Sequence, residues 1–362
     1  MKLHKWLLFI LVGAMGMAHA DELAGYKVAE DPRNFIEDPL VLDNLEEWQD
    51  LKFGFFVHWG AYSVWGSRES WPLIATPGNK FPDWDRHEVP AWHECGKDIE
   101  AFRKMYWDLN KQFNPTQFNP EAWAELAKEE GMKYFVFTTK HHDGFTMYDT
   151  QFSDYKITAP DCPYSENPKA DVTKELFNAF RAQGFKIGAY YSKPDWHHDD
   201  FWWKERKALG RDANYSVVEH PVRWERFLQF THNQIDELMT NYGRIDILWL
   251  EGLWVDKNFK WQDLRMKHVA RDSRKKQPGL IMVDRMIHGR YENYMTPEQQ
   301  IPPVALDYPW ETCMTMGRRW GYKSDDAFKS TTTCIHMLVD VVSKGGNFLL
   351  NLGASPKGWF HP

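Results

Sequence analysis

Three observations predict a parallel (β/α)8-like barrel. Helical and strand patterns alternate along nearly the whole chain. The strand runs are apolar throughout, as in strands covered on both faces, and a polar tip follows almost every one. An open doubly wound sheet gathers its functional groups at one switch point. A barrel carries them after strand upon strand, so the spread of the tips favours the barrel.

Residues 1–20 read as a secretory signal peptide: Lys2, His4 and Lys5 are basic, Trp6 to Val12 is apolar, and Ala18-His19-Ala20 forms a small-x-small cleavage site. An anchoring helix needs about twenty apolar residues. This run is shorter and is broken by Gly13 and Gly16, so an exported protein, periplasmic or extracellular and without a membrane span, is expected. Residues 21–45 are polar and Pro-bearing and read as an irregular lead-in. The barrel is expected over 46–362.

Phe53 to His58, FGFFVH, reads as the first strand. Gly66 to Tyr106 shows little periodicity and several prolines, and reads as a long functional loop. Asn119-Pro120-Glu121 is a helix start, with a capping side chain, proline at the first helical position and an acid in the first turn; Gly131 stops that helix. Strand Tyr134 to Thr139 follows, tipped by Lys140, His141, His142, Asp143 and Gly144. The unit then repeats: helix 172–183, Gly184, strand 186–192 and a tip holding His197 and His198. Trp224, Phe227, Leu228, Thr231, Ile235, Leu238 and Met239 keep helical spacing up to Tyr242. Ile245 to Leu250 is a buried strand that stops at Glu251-Gly252. A helix over 264–276 leads to strand 280–283, tipped by Asp284 and Arg285. A strand near 310–316, a helix from Phe328 to Val342 and strand 348–352 complete the pattern.

A net charge of -7 and a pI near 6.1, with no dense Lys/Arg cluster, exclude a nucleic-acid partner. Nineteen Trp exceed what a core asks for, and flat aromatic faces suit sugar rings. Cys95, Cys162, Cys313 and Cys334 show no CxxC spacing. One or two disulfides are compatible with export. No GxGxxG or GxxxxGKS follows the first strand, so no nucleotide cofactor has a cradle. No cofactor is expected.

Collected from the strand ends, His58, His141, His142, Tyr190 or Tyr191, His197, His198, Glu251, Arg285 and Glu298 would meet at one barrel mouth. Imidazoles and Arg can bond ring hydroxyls, Trp249 can stack on a sugar face, and two carboxylates can divide acid and nucleophile roles in glycoside hydrolysis. The rival use of paired histidines is a metal site, with Asp143, Asp199 and Asp200 near in sequence. Adjacent residues on a strand point to opposite faces and no HExxH or HxH spacing occurs, so no metal is expected.

The segments FGFFVHWGAYSVWGS, KHHDGF, IGAYYSKPDW, IDILWLEG, YMTPEQQIP and GGNFLLNLG resemble glycoside hydrolase family 29, the retaining α-L-fucosidases, from about Leu51 to Gly353. The resemblance implies hydrolysis of terminal α-L-fucosyl residues from a fucosylated glycan through a covalent intermediate. It places sugar binding on His58, Glu69, Trp71, His141, His142, Tyr191, Trp249 and Arg285. It makes Glu251 the nucleophile and, because TPE resembles the branch acting on α-1,3/1,4 linkages, Glu298 the acid/base; Glu311, which also precedes an expected strand-end loop, is the alternative acid/base. Two departures stand out. The family has Asp where this chain has Glu251, which motivates the alternative of an impaired, hydrolase-like carbohydrate-binding protein. The β-sandwich that normally follows the family's barrel is also expected to be absent from this chain.

Overall fold

The computed structural model describes residues 36–75, 86–285 and 291–361. The expected signal peptide and the first part of the lead-in lie outside them. Among the described residues no helix is long and apolar enough to cross a membrane.

The lead-in is not irregular where it is described. Helix α1, Pro39–Leu51, is capped by Asp38 and buries Val41, Leu45 and Trp48. It runs into β1, Phe53–His58. The long loop that follows also holds structure of its own, α2 over Pro90–Glu94 and α3 over Ile99–Trp107. Then the alternation sets in: α4 Pro120–Glu129, β2 Tyr134–Lys140, α5 Val172–Ala182, β3 Lys186–Ser192, α6 Pro221–Asn241, β4 Ile247–Glu251, α7 Met266–Lys276, β5 Ile281–Val283, β6 Glu311–Thr315, α8 Thr331–Ser343 and β7 Asn347–Gly353.

The seven strands form one parallel sheet in the order β5-β4-β3-β2-β1-β7-β6. Its regular ladder is open between β5 and β6, and the irregular segment 293–299 spans that gap. Asn293 donates its N–H to Met282 O at 2.8 Å on the β5 side. On the β6 side Met295 O accepts from Glu311 N at 2.8 Å, and Gln299 donates to Cys313 O at 3.0 Å. The sheet is thus curled into a (β/α)8-like barrel whose eighth stave is no regular strand.

Strand side chains alternate between two faces. Phe56, Tyr134, Val136, Tyr190, Ile247, Trp249, Ile281, Val283, Cys313 and Leu349 point inward and pack with Val41, Leu45 and Trp48 of α1, which closes the barrel floor. Phe55, Val57, Phe135, Ile187, Leu248 and Phe348 point outward against the helices. Trp48 is stacked on Tyr294 with centroids 4.1 Å apart. Gly54 is required by a close approach: a Cβ there would lie 2.3 Å from the Tyr134 ring. The four cysteines are all unpaired, so the disulfides that the export reading permits are not formed.

Candidate active site

The inward face sets which strand-end groups meet. Continuing the alternation upward from the core places His58 above Phe56, Glu251 above Trp249 and Arg285 above Val283, at one end of the barrel. There they line a cavity with His141 and His142 from the tip of β2, Tyr190 of β3, Glu298 of the irregular stave, and Trp71 and Trp320 from loops.

The carboxylates are joined through Arg285. Its Nη1 donates to Glu251 Oε2 at 2.7 Å, and its Nη2 is ion-paired with Glu298 Oε2. A guanidinium fork holds the oxygens it binds no more than roughly 7 Å apart. That is compatible with the separation of about 5 to 5.5 Å between carboxyl groups needed for a covalent glycosyl intermediate. The second oxygen of Glu251 accepts the backbone N–H of Gly252 at 2.9 Å. Behind Arg285, Lys193 at the tip of β3 forms a buried ion pair with Asp284 at 2.5 Å, fixing the residue next to the guanidinium.

Neutral imidazoles form the opposite wall. His58 Nδ1 lies 2.7 Å from Asn351 Oδ1, and the Asn351 amide is oriented by donating to Trp320 O at 2.7 Å. His58 therefore donates from Nδ1 and keeps Nε2 as an acceptor. Burial pushes its pKa down to about 3, against the Asn351 hydrogen bond and with Arg285 adding to the effect. Burial, with repulsion between neighbouring cations, likewise holds His141 and His142 well below the usual imidazole range. His141 Nδ1 is 2.6 Å from Ser70 Oγ. Among the described residues His142 Nδ1 is buried without a hydrogen-bond partner. Burial also pushes Glu251 up, with Arg285 opposing and the nearby Glu298 reinforcing.

The tip of β2 is held from behind. Lys140 points outward, buried and paired with Asp195 at 3.1 Å, and Asp143 accepts from Tyr106 Oη at 2.8 Å. Gly144 has φ +84°, and a Cβ on it would meet Asp195 Oδ1 at 2.3 Å, so only glycine fits the turn that presents His141 and His142.

Several expected residues lie elsewhere. Tyr191 faces out of the barrel and donates to Gln234 of α6 at 2.8 Å; Tyr190 occupies the inward position. Glu311 is buried beneath the cavity, where it accepts from Tyr134 Oη at 2.6 Å and Trp249 Nε1 at 3.1 Å, so it cannot reach a leaving group at the mouth. Glu69 is buried beside the cavity, with Oε1 accepting from Gly321 N at 2.6 Å. His197 stacks on Tyr155 with centroids 4.4 Å apart, and His198 packs on Phe230 at 4.1 Å. Among the described residues no three His, Cys, Asp or Glu side chains cluster as metal ligands would. The reading from sequence also missed Asn351 and Trp320. Alternation within NFLLNLG turns Asn351 inward with Leu349 and could have found it; Trp320 sits in a loop with no periodic signal.

Comparison with known proteins gives one consistent result. Residues 27–362 match the sequence profile of the Alpha-L-fucosidase family. The chain is 31% identical to the tissue α-L-fucosidase of Mus musculus over 350 residues, covering 92% of this chain and 71% of that one. Its fold is similar to that of α-L-fucosidase isoenzyme 1 from Paenibacillus thiaminolyticus, with a TM-score of 0.67, 30% identity, and 89% and 72% of the two chains covered. It is also similar to a Bacteroides thetaiotaomicron α-L-fucosidase solved as a trapped covalent intermediate with 2-fluoro-fucosyl fluoride, with a TM-score of 0.67, 26% identity, and 88% and 71% covered.

Proposed function

The chain belongs to the α-L-fucosidase family, and on that premise we propose that it is a retaining exo-α-L-fucosidase in which Glu251 is the nucleophile and Glu298 the acid/base. The observation that carries this assignment is the single guanidinium of Arg285 between the two carboxylates, at the barrel end where neutral histidines and Trp faces meet. An uncharged polyhydroxylated ring suits those surroundings: His58 Nε2 accepts from a hydroxyl, His141 and His142 bond others, and Trp249 and Tyr190 form the apolar floor.

In the first half-reaction a Glu251 oxygen bonds to the anomeric carbon as the glycosidic C–O bond breaks, and Glu298 delivers its proton to the departing oxygen. In the second, Glu298 takes a proton from water, the water oxygen bonds to the anomeric carbon, and the Glu251 ester is released. Arg285 has a double part. It aims Glu251 and opposes the burial that raises that carboxyl, and it holds Glu298 on the other side of the same guanidinium. The TPE segment ending at Glu298 supports action on α-1,3/1,4 linkages. The reading of residues 1–20 as a secretory signal peptide supports action after export, in the periplasm or beyond.

The test is hydrolysis of an aryl α-L-fucoside followed by NMR of the first-formed sugar. Release of fucose with the α configuration is expected. Fucose binding without turnover would overturn the enzymatic reading, and release of the β anomer would overturn the nucleophile.

A further inference from the structure

The sugar cavity opens past Trp71, Glu298 and Trp320 into a second, larger one of ≈ 580 Å³. Since Glu298 faces both, this outer cavity is where the sugar that carries the fucosyl residue must lie. Four cations line it: Arg68, Arg318, Arg319 and Lys329. Two of them are answered by carboxylates. Arg319 is paired with Glu88 at 2.6 Å, and Arg68 stands in the field of the buried Glu69. The other cavity carboxylate, Glu298, is already shared with Arg285.

Arg318 and Lys329 differ. The exposed Arg318 guanidinium makes no side-chain hydrogen bond or ion pair among the described residues. The half-buried Lys329 ammonium donates to uncharged partners: Thr315 O, Thr315 Oγ1 at 3.4 Å and Gly317 O at 3.4 Å. Asp326, the neighbouring acid, turns Oδ1 to the backbone N–H groups of Arg318 and Ala327, at 2.9 and 2.8 Å. Arg318, with no carboxylate partner among the described residues, and Lys329, in the field of Asp326 but in no ion pair with it, thus face one cavity on the leaving-group side. The inner cavity offers no comparable charge, because Arg285 is bound to both catalytic carboxylates.

Resting on the fucosidase reading, we propose that the natural substrate carries an anionic substituent, a sulfate ester or a carboxylate, on the sugar that bears the fucosyl residue, and that Arg318 and Lys329 bind it. Charge-assisted hydrogen bonds to such a group supply affinity that a neutral aglycone cannot draw on.

The test compares kcat/KM for three fucosylated disaccharides: one neutral, one sulfated on the sugar next to the fucose, and one carrying a carboxylate there. Wild type at low salt is expected to favour at least one anionic substrate by about tenfold, the preference shrinking at high ionic strength as exposed charges are screened. Whichever anion is favoured identifies the source. Arg318→Ala and Lys329→Gln should each reduce the ratio of anionic to neutral substrate, Arg318→Lys should restore part of it, and Arg318→Glu should bring it below one. Equal kcat/KM for all three substrates in wild type, or a ratio unmoved by both Arg318→Ala and Arg318→Glu, would overturn the proposal. Failure to cleave any fucoside would instead sink the fucosidase reading. Calorimetric binding of the sulfated against the neutral disaccharide would then decide the anion site on its own: tighter binding of the sulfated sugar upholds it and equal binding overturns it.

Discussion

Glu251 already holds both its oxygens in defined bonds, one to the N–H of Gly252 and one to Arg285. The pocket is therefore built around the longer acid. Glu251→Asp would draw the carboxylate back by about one bond length. Displacement on that scale costs roughly a hundredfold in a reaction that demands near-contact geometry. Turnover of an aryl fucoside should fall by about that factor while the dissociation constant for fucose changes only a few-fold. Glu251→Gln should lower turnover at least about a thousandfold and abolish the adduct that mass spectrometry detects with 2-fluoro-fucosyl fluoride. Retained turnover in that variant would remove Glu251 from the nucleophile's place. Much of this site is legible where alternation holds, in β1 and β4: fixing Trp249 as inward fixes Glu251, and fixing Phe56 fixes His58; the register shift at the tip of β2 breaks the rule for His141 and His142. The choice between Tyr190 and Tyr191 was decidable by the same rule, since Tyr190 shares its face with Gly188 and Ser192 and stacks on Trp249 at 5.3 Å. A motif match alone does not carry that phase.

At the scale of elements, β6 shows how an acid can look catalytic in sequence and be structural. Glu311 stands just before an expected strand-end loop, but it is the inward residue at the base of β6, not at its tip. Burial pushes its carboxyl up to about 7, against hydrogen bonds from Tyr134 and Trp249 that lower it. The folded protein therefore binds this proton more tightly than the unfolded chain. Stability from this group is present below the ordinary carboxyl range and is lost as pH rises through about 7. Glu311→Gln imitates the protonated form, accepting from Trp249 and donating to Tyr134. It should stabilise the protein at pH 8 relative to pH 5 by on the order of 1–3 kcal/mol, read as the pH dependence of the difference in urea unfolding free energy. An equal difference at both pH values would mean that Glu311 is ionised throughout. Other elements were hidden from sequence for physical reasons. Helix α1 shows only the stripe Val41, Leu45 and Trp48 among acids, after a stretch of polar residues. The stave over 293–299 contains Pro297 and no alternation, because irregular bonds to β5 and β6 hold it in place of a ladder.

For the molecule as a whole, two sets of buried groups act against each other. Glu69, Asp143 and Glu311 are each pushed by burial up to about 7, so their contribution to stability grows as pH falls from 7 towards 4.5. His58, down to about 3, with His141 and His142 also lowered, works the other way: the unfolded chain takes up these protons first, and stability is lost as pH falls below about 6.5. The thermal midpoint should accordingly be nearly flat between about pH 4.5 and 6.5 and drop steeply below, where only the histidine effect remains. A midpoint rising steadily from pH 4.5 to 8 would show that the carboxyls are ionised in the folded state. The strand order carries a further consequence, for synthesis. β1 pairs with β2 on one side and β7 on the other, and His58 meets its partner Asn351 across 293 residues. At 5–20 residues per second a ribosome needs roughly 15–60 s to make that span. Throughout that time β1 lacks its second neighbour, and an unpaired apolar edge is open to pairing with another chain. No pause placed earlier in translation can relieve it, because the missing neighbour is the last strand of the sheet to be made.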